Sequence, residues 1–153
     1  MTDTSHEDAT VVHATRIIAA PASRIFEFIA DPAQQPRWDG NDNLAESEPG
    51  QRVRAVGDMF TMTISKGSLR HNHVVEFEEG RLIAWKPSVP DQEPPGHLWR
   101  WELEAMDGDR TRVSHTYDWT ELRDPKRLDR ARNTTGENLQ ASLDRLAVLA
   151  EAG

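Results

Sequence analysis

The sequence predicts an α+β domain in which a curved antiparallel β-sheet wraps around a long C-terminal α-helix, with two short helices after the first strand. Three observations carry that prediction. Segments rich in β-branched and aromatic residues recur from Met59 to Thr120, separated by turn signals at Lys66-Gly67, Glu79-Gly80 and Asp107-Gly108. Pro21 and Pro32 stand where helices begin, between the first strand and the rest. From Asp124 onward, apolar residues keep a helical spacing almost to the end. Strands joined by tight turns pair antiparallel, and their buried face needs a cover. The C-terminal helix is the element long enough to supply it.

Taken in order, Thr10 to Ala19 is β-branched and reads as the first strand. A helix starts at Pro21 or Ala22, carries Ile25, Phe26 and Ile29 on one side, and stops at Asp31-Pro32, because a residue before proline avoids the α region. Pro32 opens a second short helix towards Trp38, closed by Asp39-Gly40-Asn41. Asn43 to Val56 holds a short edge strand and a turn. Met59 to Ser65 places Phe60, Met62 and Ile64 on one face, and Leu69 to Glu78 places Leu69, His71, His73, Val75 and Phe77 together. Arg81 to Lys86 follows, and the four prolines of Pro87 to Gly96 mark a loop, since proline cannot donate to a ladder. His97 to Glu104 and Thr111 to Thr120 are the last two strands. Asp124-Pro125 begins the C-terminal helical region. Thr134-Thr135-Gly136-Glu137 matches a capping box within it, where the helix can break or kink.

A chain of 153 residues fits one domain (residues 10–153), preceded by a polar, acidic tail at 1–9 that reads as disordered. Its net charge of -8, with basic and acidic residues interleaved so that no local basic patch is expected, argues against nucleic acid as a partner. Without cysteine there are no disulfides or thiol nucleophiles, which fits a cytoplasmic protein. No apolar run approaches the ~20 residues of a membrane span.

The stretch Gly96 to Glu104 is the most informative. His97, Trp99, Trp101 and Leu103 share one face, where an ordinary core strand would carry Val, Ile and Leu. With the most apolar face of each strand inward, the interior receives His71, His73, His97, Trp99, Trp101, His115, Tyr117 and Trp119. Strands ~4.8 Å apart, with same-face neighbours ~6.6 Å apart, make these a contiguous patch. The inward placement of His71 and His73 needs an unbroken register, because a bulge would turn both to solvent. An aromatic and imidazole wall of this kind suits a small-molecule site, with His97, His115 and Tyr117 the candidates for acid–base chemistry. The histidine spacing matches no metal-ligand motif and no carboxylate falls on that face, so neither a metal nor a cofactor is assigned. Asp39 is a turn-former that could also reach a ligand. Arg16 either meets an acidic group inside or lies on the solvated face. Ser114 has no base beside it.

The run Ile18-Ala19-Ala20-Pro21-Ala22-Ser23-Arg24-Ile25-Phe26, with Ala30-Asp31-Pro32, Pro36-Arg37-Trp38, Val56-Gly57-Asp58 and Thr111-Arg112-Val113, resembles the START-like superfamily. This is also called the helix-grip or SRPBCC fold, and the likeness is to its polyketide cyclase/dehydrase and lipid-transport group. The resemblance implies the fold and a cavity between sheet and long helix; no catalytic motif transfers residue by residue. The expected function is binding of a small hydrophobic molecule, whether aromatic, polyketide-like or lipid-like. The alternatives are a cyclase or dehydratase using His and Tyr, or a protein-interaction module. Ligand identity and oligomeric state are not encoded in any motif.

Overall fold

In the computed structural model, which describes residues 10–152, seven strands form one sheet flanked by helices; the tail expected at 1–9 lies outside the described residues. Strand β1 (Val11–Ile18) leads into helix α1 (Ala22–Ala30), which Asp31 ends, and Pro32–Arg37 forms a 3-10 turn. Strands β2 (Leu44–Glu46), β3 (Met59–Ile64), β4 (Leu69–Glu78), β5 (Leu82–Ser88), β6 (Leu98–Met106) and β7 (Arg110–Asp118) follow. Helices α2 (Pro125–Asn133) and α3 (Gly136–Glu151) close the chain. The strand order is β1-β7-β6-β5-β4-β3-β2, every pair antiparallel, so the first strand docks on the last and the short β2 takes the far edge.

Helix α3 is the cover. Leu139, Leu143, Leu146, Ala147 and Ala150 repeat at three- and four-residue steps and are buried against the sheet. Removing a leucine side chain of this kind from water is worth about 1.5–3 kcal/mol. The C-terminal region is two helices, as the capping signal allowed. The cap sits one residue later than the sequence match suggested: the Thr135 backbone N–H donates to Asn138 Oδ1 at 2.9 Å, so Asn138 takes the part expected of Glu137. Arg16 settles on the helix side of β1, where it pairs with Asp144 of α3 at 2.8 Å.

Two expectations about strand phase and extent need correction. The β4–β5 register runs His71↔Ser88, Asn72↔Pro87, His73↔Lys86 and Val74↔Trp85, then shifts so that Glu76 opposes Ala84 and Phe77 opposes Ile83. Val75 is the extra residue of a β-bulge, and alternation changes sides across it. Phe77 is inward, edge-on to Phe26 at 5.7 Å, so extending its phase backwards put His71 and His73 on the same side. Beyond the bulge the inward residues are Arg70, Asn72 and Val74, while His71 and His73 stand on the outer face, His73 Nε2 lying 2.9 Å from Ser88 Oγ. Strand β5 also runs on through Pro87 to Ser88. Its pairing with β6 ends at Trp85↔Trp99, so proline occupies a stretch bonded on one side only, where a missing N–H costs nothing.

Candidate functional site

A cavity of about 310 Å³ opens between the inner face of β3–β7, the 3-10 turn, and helices α2 and α3. Its inner wall is built by register. Trp99 opposes Tyr117 across β6 and β7, and Trp101 opposes His115, so four rings stand in two adjacent rows. The His115 imidazole stacks on Trp101 at 3.7 Å between centroids and lies 5.6 Å from Trp99, while Trp99 and Tyr117 are 4.2 Å apart. Trp38, at the end of the 3-10 turn, meets Trp101 edge-on at 5.0 Å and donates its indole N–H to the Phe28 carbonyl at 2.8 Å. Trp101 and Trp119 are buried, yet the Nε1 of each has no hydrogen-bond partner among the described residues. Buried indole N–H groups usually find one.

The titratable groups of this wall are held in their neutral forms. His115 donates from Nδ1 to the Arg100 carbonyl at 3.1 Å, since a carbonyl can only accept. The ring therefore keeps its free lone pair at Nε2. Burial pushes the His115 pKa down to about 3, against the smaller opposing pull of that hydrogen bond. His97, just before β6, is pushed down to about 4 by burial first and then by the positive charges of Arg127, Arg130 and Arg70. Burial raises the Tyr117 phenol to about 12, so it remains a donor. His97, His115 and Tyr117 thus offer hydrogen-bond donors and acceptors without titrating near neutrality.

Of the residues singled out from sequence, His97, Trp99, Trp101, His115 and Tyr117 line the cavity. Trp119 is inward as expected but packs into the core beyond the lining. His71 and His73 do not reach the cavity, for the reason of register given above. Asp39 lines the cavity edge while acting as the turn-former it was expected to be: its carboxylate accepts from the backbone N–H groups of Asn41 at 3.1 Å, Asn43 at 2.8 Å and Leu44 at 3.1 Å. Ser114 faces away, 3.2 Å from Thr15 on the outer side.

Sequence reading missed the polar side of the cavity. Asn72 and Arg70 enter it from β4 because of the bulge. Arg127 and Arg130 enter it from α2, three residues apart and so on one helix face. Read linearly, the basic residues are interleaved with acidic ones, and the expectation of no local basic patch is corrected here: strand and helix bring these three arginines to one place. The i, i+3 spacing in α2 was the only local signal of them.

Three comparisons place the chain. The profile of the family described as polyketide cyclase/dehydrase and lipid transport matches residues 9–151. Two uncharacterised Mycobacterium tuberculosis proteins, Rv0088 and MT0096, are 29% identical over 105 residues and 31% identical over 104 residues. Each match covers 67% of this chain and 44% of the relative, so the chain spans less than half the length of those proteins. Among solved structures, protein MLL2253 from Mesorhizobium loti superposes with a TM-score of 0.68 at 16% identity, covering 93% of this chain and 97% of that one. Protein Ms6760 from Mycobacterium smegmatis gives 0.65 at 19% identity, covering 95% and 93%. These structures share the fold. The chain belongs to the polyketide cyclase/dehydrase and lipid transport family.

Proposed function

We propose that this member of the polyketide cyclase/dehydrase and lipid transport family binds a small hydrophobic ligand, aromatic, polyketide-like or lipid-like, in the cavity between sheet and C-terminal helices. Trp99, Trp101, His115 and Tyr117 form the wall against which the ligand lies, and His97 also lines the cavity. The observation that carries this reading is the open volume beside four aromatic rings. A core shaped for stability alone closes such space. At about 310 Å³ the cavity falls in the size range of small-molecule sites. A cytoplasmic location is the companion reading and rests on the cysteine-free sequence.

Cyclisation or dehydration of a polyketide-like substrate remains the alternative and would use the same side chains. Binding ranks first because His97, His115 and Tyr117 hold pKa values of about 4, about 3 and about 12, far from the neutral range where a general acid–base pair works best. An interaction module would have needed no internal cavity.

Native mass spectrometry of freshly purified protein tests the reading, with thermal shifts against apolar compounds. A ligand at a hundred times its Kd adds about 2.7 kcal/mol, which for a domain of this size raises Tm by about 5–10 °C. Tyr117→Phe should leave Tm unchanged, since no hydrogen bond to the phenol occurs among the described residues, and should weaken ligands that carry an acceptor. A protein that purifies empty and shows no concentration-dependent shift would sink the proposal.

A further inference from the structure

Three arginines, Arg70, Arg127 and Arg130, line the cavity, and two of them are not answered by an acid among the described residues. Elsewhere many arginines are answered by acids, Arg16 by Asp144, Arg52 by Glu27 and Glu79, Arg81 by Glu78, Arg100 by Glu76, Arg112 by Glu104 and Arg145 by Asp42, while Arg24, Arg37, Arg54 and Arg110 have no carboxylate partner among the described residues but stand apart from the cavity. In the cavity lining, Arg127 is paired with Asp124 at 3.2 Å, but Arg70 and Arg130 have no carboxylate partner among the described residues. The chain has 26 acidic residues against 18 basic ones, so acids are not scarce. Arg70 feels the repulsion of Arg127 and Arg130 strongly enough to depress its own pKa, after the larger effect of its burial. Like charges gathered in one cavity repel, and a fold bears such costs chiefly at functional sites.

A further observation points to an occupant: the arginines from β4 and α2 line the same cavity as the rings of Trp99, Trp101, His115 and Tyr117, near enough that the charges of Arg127 and Arg130 act on His97 and Tyr117.

We infer that the cavity takes an anionic amphiphile, its oxyanion head (carboxylate or phosphate ester) held by Arg70, Arg127 and Arg130 while its apolar body lies along the Trp99–Trp101 wall. This rests on the cavity-binding reading above and adds the charge of the ligand. Guanidinium groups suit this role because their planar forks match carboxylate and phosphate oxygens in pairs. A nucleic acid does not fit: the cluster belongs to the lining of one small cavity on a chain of net charge -8.

Matched ligand series separate the two readings. Decanoate, decyl phosphate, decanol and decylamine share a body and differ in head, as do naphthoate, naphthyl phosphate and naphthol. Kd is measured for each by tryptophan fluorescence and calorimetry at about 0.05 M and about 0.3 M salt. Anions should bind about tenfold tighter than the matched alcohol at low salt, amines weaker still, and the advantage should shrink at high salt. Arg70→Gln and Arg130→Gln should each reduce anion affinity about 3–10-fold and leave alcohol affinity within about twofold. Arg130→Lys should restore part of the loss. Neither Gln variant should lower Tm, because each relieves repulsion; Arg130 is also exposed. The better of carboxylate and phosphate identifies the head. Equal binding of anion and alcohol, or variants that weaken both alike, would overturn the inference and leave the cavity reading standing. Failure of every compound to bind would overturn both.

Discussion

Acidification from about pH 7 to about pH 5 should loosen this fold before its carboxylates titrate, because two imidazoles are buried uncharged. The folded pKa of His115 is about 3 and that of His97 about 4, each lowered chiefly by desolvation from an ordinary 6.5. In the unfolded chain both return to the ordinary value. Between that value and the folded ones, the unfolded state therefore binds more protons than the folded state. Stability must fall as pH drops through this window, by at most about 1.4 kcal/mol per pH unit for each histidine. Integrated from about pH 7 to about pH 5, each contributes a loss of about 2 kcal/mol. Both together remove about 4 kcal/mol from a fold of ordinary stability, about 5–15 kcal/mol. The carboxylates act in the opposite part of the scale. Glu76 and Glu27 have folded pKa values lowered below 4.5 by Arg100 and Arg52, so their contribution is intact here and is lost only at lower pH. Urea unfolding followed by tryptophan fluorescence, repeated across the window, measures the loss. His115→Phe keeps a flat ring against Trp101 but strands the Arg100 carbonyl, costing about 1–2 kcal/mol at neutral pH. Its stability should then fall only about half as far as the wild type, and the two curves should approach each other near pH 5. A flat wild-type profile, or a His115→Phe profile equally steep, would refute the reasoning.

Two other outcomes follow from the packing. Gly40→Ala should be severely destabilising, because a Cβ there would lie 2.4 Å from the Asn138 carbonyl and 2.6 Å from the Ser142 backbone nitrogen of α3. Neither is a flexible side-chain end, so a loss of about 3 kcal/mol and about 6–12 °C in Tm is expected by calorimetry; a change under about 1 kcal/mol would show that the turn and α3 can separate freely. Glu76→Gln, by contrast, breaks a two-pronged pair to Arg100 at 2.7 and 2.8 Å on the outer face of the sheet. The pair is part-exposed, so a double-mutant cycle with Arg100 should give under about 1 kcal/mol, and a coupling above about 2 kcal/mol would contradict that account.

The sequence was most readable where one local cause fixes one local outcome. Pro21, Asp31-Pro32 and Asp124-Pro125 set helix ends through φ and missing donors, and the helices begin and end at them. Alternation along β6 and β7, where no bulge intervenes, put Trp99, Trp101, His115 and Tyr117 on the inner face, and the register pairs them there. Alternation failed along β4 because it fixes relative sides only, and one extra residue at Val75 reverses them. A bulge is chosen by how β4 must bend over its neighbours, which is a property of the sheet.

Residue pattern by itself therefore determined the order of elements, the antiparallel sheet with its helical cover, and the aromatic character of one strand face. These follow from dihedral limits and from the periods of strand and helix, both short-range. Tertiary structure alone decided three things. It turned His71 and His73 outward in favour of Arg70 and Asn72, and it buried the imidazoles deeply enough to keep them neutral. It also brought Arg70 to Arg127 and Arg130 across more than fifty intervening positions. Charge clusters and desolvation depend on distances between segments remote in the chain, and those distances exist only once the sheet has curled around its helices.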